Sequence, residues 1–115
     1  MTNNFKSFVG DFRKSNVHDA IGLYEVIGCI QRNFKPHDTE QLKELTFDLV
    51  KEMLAEGFLA VYLFHSGAHN VPWENQDVEC IINRIKIEWQ TLSRIPNIGD
   101  IVYFDLSGSS KSHSG

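Results

Sequence analysis

Five acids at strict four-residue intervals, Glu40, Glu44, Asp48, Glu52 and Glu56, run along a segment whose apolar residues follow a helical period. A chain that commits to a helix here must tolerate like charges stacked on successive turns, each such pair costing roughly 0.2–0.5 kcal/mol. The compensation is visible in the same segment. Leu42, Leu45, Leu49, Val50, Met53 and Leu54 form an i, i+3, i+4 stripe that demands burial against other elements. Asp38 stands as an N-cap with Gln41 three residues on, a capping-box arrangement, and Gly57 occupies the place of a left-handed C-cap. Between Asp38 and Glu56 lie six of the fifteen acids and two of the eleven bases, Lys43 and Lys51, so the remaining nine acids and nine bases cancel and the whole net charge of −4 sits on this helix.

The rest of the 115 residues reads as one α+β domain, with three main helices and a small antiparallel sheet, and 42% hydrophobic content is enough for a core. Residues 1–16 form an arm in which Phe5, Phe8, Val9 and Phe12 recur at helical spacing around Gly10; it either packs on its own core or exchanges with a second copy. The main domain spans 17–106. A first helix is expected from Val17 to about Phe34, capped by Asn16, with Gly22 and Gly28 allowing close helix contact and Lys35-Pro36 ending it.

After Gly57 the run from Phe58 to Phe64 reads as a buried strand, residues 65–70 as a loop, and Val71-Pro72-Trp73 as a short return strand. A third helix starts at Asn75 or Asp77 and carries Val78, Ile81, Ile82, Ile85, Trp89 and Leu92 on one face, with Cys80 and Ile87 on the other. Residues 94–100 form a turn, Ile101 to Phe104 a closing strand, and the Ser/Gly-rich tail 107–115 is expected to be disordered.

Sites for chemistry are sparse. His65 and His69 have the i, i+4 spacing of helical zinc ligands but flank Gly67 in a loop with no acid close by in sequence, so no metal and no other cofactor is expected. Cys29 and Cys80 make no CxxC pair, which fits two buried thiols in a reducing compartment. His18-Asp19 reads as helix-end stabilisation, and the five acids diverge around a solvated face instead of converging on a cleft. These features favour a binding protein over an enzyme.

A pI near 5.7 argues against nucleic acid as partner, and no stretch suits a secretory leader or a membrane span, which places the chain in the cytoplasm. The acid ladder is either a solubilising face or an electrostatic docking surface for a basic partner.

Two resemblances add to this. The helix ending in Leu54-Ala55-Glu56-Gly57-Phe58-Leu59 and followed by strands looks like a winged-helix core, although such folds read DNA with a basic helix and this one is acidic. The combination of residues 22–27, Gly-Leu-Tyr-Glu-Val-Ile, with Trp73, Glu88-Trp89 and the segment from Arg94 to Phe104 is similar to a family of small bacterial immunity proteins of toxin systems, including contact-dependent growth inhibition. That resemblance implies a cytoplasmic protein that binds and neutralises a cognate toxin domain, often a basic nuclease, and makes Glu40, Glu44, Asp48, Glu52 and Glu56 the expected partner-binding residues. The alternative is a winged-helix-like regulatory or scaffold protein acting as a homodimer through the arm, Cys80 and Ile87.

Overall fold

The computed structural model describes residues 5–15, 20–62, 71–97 and 100–106. Among these the chain is α+β, with four helices and a four-stranded antiparallel sheet. Helix α1 (Phe5–Ser15) is the predicted arm; β1 (Ile21–Gly22) leads directly into α2 (Leu23–Phe34), and α3 (Thr39–Ala55) is the acidic helix. Then come β2 (Phe58–Tyr62), β3 (Val71–Pro72), α4 (Val78–Leu92) and β4 (Tyr103–Leu106), in the sheet order β1-β4-β2-β3.

Local side-chain chemistry sets the ends of α3 and α4. Asp38 accepts the Gln41 amide at 2.9 Å and Asp77 accepts that of Cys80 at 3.2 Å, each occupying one of the unpaired donors of a first helical turn. The reciprocal half of the expected capping box is displaced by one residue, because the Gln41 side chain accepts from the His37 amide instead of the cap residue's own. Gly57 follows α3 with φ of 110°, a conformation open to glycine at no steric cost.

The first helix is shorter than its apolar period suggests. Residues 16–19, including the expected cap Asn16 and the His18-Asp19 pair, lie outside the described residues, and Ile21 and Gly22 are strand. Ile21 pairs with Phe104 and Gly22 with Tyr103, so the apolar residues before Leu23 are recruited by β4. Gly22 is thereby the N-cap of α2 and not an interior glycine, and a Cβ there would lie 2.5 Å from the Tyr24 ring and 2.9 Å from Tyr103. Gly28 does lie within α2, but a Cβ would meet only the Arg32 guanidinium, so no neighbouring helix backbone requires a glycine at that position.

Pairing also assigns the two sheet faces. Ile21, Phe104 and Ala60 lie in register on the side packed by Val26, Ile30, Leu49, Met53, Ile81 and Ile85, all buried. Gly22, Tyr103 and Val61 lie in register on the opposite side, where Ala20, Tyr24 and Leu59 complete a small apolar cluster. At the outer edge of β2, where β3 has ended, Gln76 replaces a strand residue. Its amide accepts from the Ala60 N–H at 3.0 Å and donates to the Ala60 carbonyl at 2.9 Å.

The closing strand begins two residues later than its sequence suggests. Val102 donates to the Asp100 carbonyl at 2.8 Å across Ile101, whose φ is 65°, a γ-turn in its strained positive-φ form. A β-branched residue in that region is unfavourable on its own. Here Ile101 packs against the core, Asp100 accepts from Arg94 at 2.8 Å and from the Asn97 amide at 2.7 Å, and the Val102 carbonyl accepts the first amide of α2 at 3.1 Å. The Arg94 guanidinium, with the Asn97 amide, holds the Asp100 carboxyl below the ordinary carboxylate range. No helix among the described residues is long and apolar enough to cross a membrane.

Candidate functional site: the acidic face of α3

All five ladder acids lie on α3 or at its C-cap, and the four-residue step decides where they point. Four residues overshoot a 3.6-residue turn, so each acid is rotated about 40° from the one before it, and Glu40 and Glu56 end about 160° apart around the axis. The same drift divides the ladder. Glu40, Glu44 and Asp48 are exposed, and their carboxylates make no hydrogen bond or ion pair among the described residues. Glu52 and Glu56 have swung to the flank where α1 packs.

There the arm supplies two bases. The Lys6 ammonium lies 3.0 Å from Glu52 Oε2 and 3.1 Å from Glu56 Oε2, bridging the two carboxylates. Arg13, seven residues and so about two turns further along α1, donates to the Glu56 backbone carbonyl at 3.2 Å and to its Oε1 at 3.3 Å. One guanidinium therefore serves both an unpaired carbonyl at the helix end and the last acid of the row. The Lys6 hydrogen bond holds the Glu56 carboxyl below its ordinary range, and the Glu52 and Glu56 carboxylates raise the Lys6 ammonium above its own.

The apolar stripe of the arm does not by itself point to either base. A signal was present: a lysine and an arginine one heptad apart beside apolar Phe5, Phe8, Val9 and Phe12, in a chain whose excess acid lies on another helix. The stripe itself behaves as expected. Val9 is buried in the core, and Phe5 and Phe8 meet the Phe34 ring at centroid distances of 5.7 and 5.9 Å.

Two lysines beside α3's upper half face aromatic rings. Lys43 turns its ammonium toward the Trp89 ring, 5.4 Å from the centroid, and Lys86 of α4 sits 5.5 Å from the Phe47 ring. Lys51, the second lysine of α3, is exposed, and neither it nor Lys43 forms an ion pair with Glu40, Glu44 or Asp48 among the described residues.

A second polar cluster lies at the β2–β3 edge. The Arg84 guanidinium lies 3.9 Å from the centroid of the buried Trp73 ring and 5.5 Å from that of Tyr62, and its Nε donates to Glu88 at 2.8 Å. Those contacts join α4 to the sheet and leave the guanidinium committed.

The described residues assemble no metal-ligand cluster. Among them no group of three or more His, Cys, Asp or Glu side chains could hold a metal, and His65 and His69 lie outside them. Cys29 is buried in α2, and its desolvation pushes the thiol above its usual range, which disfavours the nucleophilic thiolate. Cys80 is exposed, contrary to the expectation of two buried thiols, because it lies on the outer face of α4. The hollow of about 380 Å³ between α1 and α2 is lined by Asp11, Phe12, Tyr24, Glu25, Gly28 and Arg32, with no Ser, Thr, Cys, His or Lys among them. Compared with protein-family models, with curated proteins and with solved structures, the chain finds no match in any of the three.

Proposed function

We propose that this chain is a binding protein that docks a basic protein partner on the acidic face of α3, and that the partner is a cognate antibacterial toxin domain, a basic nuclease, which it neutralises as an immunity protein. The observation that carries the reading is the exposed, unpaired row Glu40, Glu44 and Asp48, presented on a helix anchored by buried Leu42, Leu49, Val50 and Met53. A row of carboxylates on a rigid helix can follow the cationic groups that a nuclease uses to hold phosphates, and fixed charge of one sign raises the encounter rate with such a partner. The resemblance of residues 22–27, Trp73, Glu88-Trp89 and 94–104 to immunity proteins of contact-dependent toxin systems points the same way. Binding is intracellular in this reading, since the toxin acts in the cytoplasm.

The deciding experiment is titration with the toxin domain encoded by the neighbouring gene. Glu40→Lys, Glu44→Lys and Asp48→Lys together should weaken binding by about a hundredfold or more, mostly through lost charge pairs. Unchanged affinity of the triple variant would remove α3 from the interface.

A second reading is supported by the outer face of α4, where Ile87 is 65% exposed and Cys80 lies two turns before it. Here the chain is a winged-helix-like scaffold that forms a homodimer through this face. Sedimentation of the wild type and of Ile87→Glu separates the two: a dimer lost in the variant supports the scaffold, and a monomer throughout counts against it.

A further inference from the structure

We infer that α1 is an internal competitor for the acidic face, so that docking of the arm and binding of a cationic partner along the whole ladder exclude one another. The inference rests on the reading of α3 as a docking surface and adds a regulatory element to it.

Lys6 and Arg13 already do at Glu52 and Glu56 what a partner's bases would do further up the helix. They are two cations on one side of an amphipathic helix, seven residues apart, laid against two successive acids. The Lys6 side chain is 79% exposed while it bridges both carboxylates, so its pairing is a surface contact that another cation can replace in kind. The arm's apolar anchoring is also partial: Val9 is buried, whereas Phe5, Phe8 and Phe12 remain half-buried. Displacing the arm adds two acids to the three already free, and the row from Glu40 to Glu56 then extends about 24 Å along the axis. The arm therefore sets a threshold. A compact basic surface engages only the upper acids, whereas a flexible cationic segment that winds with the acids around α3 displaces α1 and follows the full row.

The probe is decalysine, titrated into the full chain at low salt, with amide hydrogen exchange followed on residues 5–15. The variant Lys6→Gln/Arg13→Gln is compared with Lys14→Gln/Lys35→Asn. The control pair removes the same charge, touches neither Glu52 nor Glu56, and keeps a residue tolerant of the left-handed conformation where Lys35 caps α2. Saturating decalysine should speed exchange across residues 5–15 at least fivefold, and Lys6→Gln/Arg13→Gln should bind it at least fivefold tighter than the control. Equal affinities of the two variants, or unchanged exchange in the arm at saturation, would overturn the competition and leave the docking surface standing. Absence of saturable binding by any variant would remove the docking surface and the competition together.

Discussion

Glu40, Glu44 and Asp48 recur at the same spacing as Glu52 and Glu56 and on the same helix, yet the first three face solvent unpaired while the last two are held by Lys6 and Arg13. The difference comes from rotation, not from residue type. A four-residue period precesses around an α-helix, so a regular sequence feature visits different surroundings at its two ends. In α3 the upper end meets water beside a lysine turned toward Trp89, and the lower end meets a second helix carrying bases. A charge run in sequence is therefore not one surface, and its lower end is already ion-paired to the chain's own first helix.

The largest expected effect comes from unseating the arm. Val9 is buried in the main core, and Val9→Asp places a charge there without a partner, at a cost of about 2–4 kcal/mol. Chemical denaturation should show that loss. Exchange in the mutant should rise across residues 5–15 while α4 keeps its protection. If α4 loosens equally, the arm is an integral core element and the contrast between the two ends of the ladder has no separate lower component.

Smaller effects follow from the caps, one at each end. Asp38→Ala removes the acceptor for the Gln41 amide and should cost about 1 kcal/mol, leaving exchange in the arm unchanged. Gly57→Ala puts a Cβ at φ of 110° and should cost about 1 kcal/mol or more. It should also loosen α1, because Arg13 holds the carbonyl of the preceding residue. Equal responses of the arm to both substitutions would show that α3 transmits disturbance along its whole length and that its two ends are not independent.

What the sequence makes legible here is local. Asp38, Gly57 and Asp77 mark helix ends through side-chain or backbone preferences that act within three or four residues, and the structure places α3 and α4 at those marks. The apolar period of α4 likewise identifies Ile81, Ile82, Ile85 and Trp89, all buried. The strand β1 was not legible. Ala20 and Leu23 fit a helical period that continues to Phe34, and only pairing with β4 at the far end of the chain turns Ile21 and Gly22 into strand. The late start of β4 has a related cause, since the turn at Ile101 depends on Arg94, Asp100 and the α2 amide together. For the site, the five acids were evident as a row, but their division was not, because it depends on where a separate amphipathic helix docks.

The mildest perturbation is pH, and it distinguishes the two ends without any mutation. Glu56 has its folded pKa lowered from 4.5, chiefly by the Lys6 hydrogen bond, so its contribution to arm docking is complete above that value and is lost as pH falls through the lower folded one. Lys6 is raised from 10.5 by the same contacts, so its contribution is complete below that value and disappears as pH rises through the higher folded one. Between these limits the pairs should respond little to pH and should weaken with salt, since the Debye length falls to about 3 Å at 1 M and the groups lie at the surface. The Val9 methyl resonances report on docking directly. They should stay constant from about pH 6 to 9 in low salt, a window that lies inside both ordinary pKa values, and move toward their undocked positions on acidification or at 1 M salt. Constant Val9 resonances throughout would mean that the phenylalanine contacts alone seat α1, and that the ion pairs merely accompany a docking decided by burial.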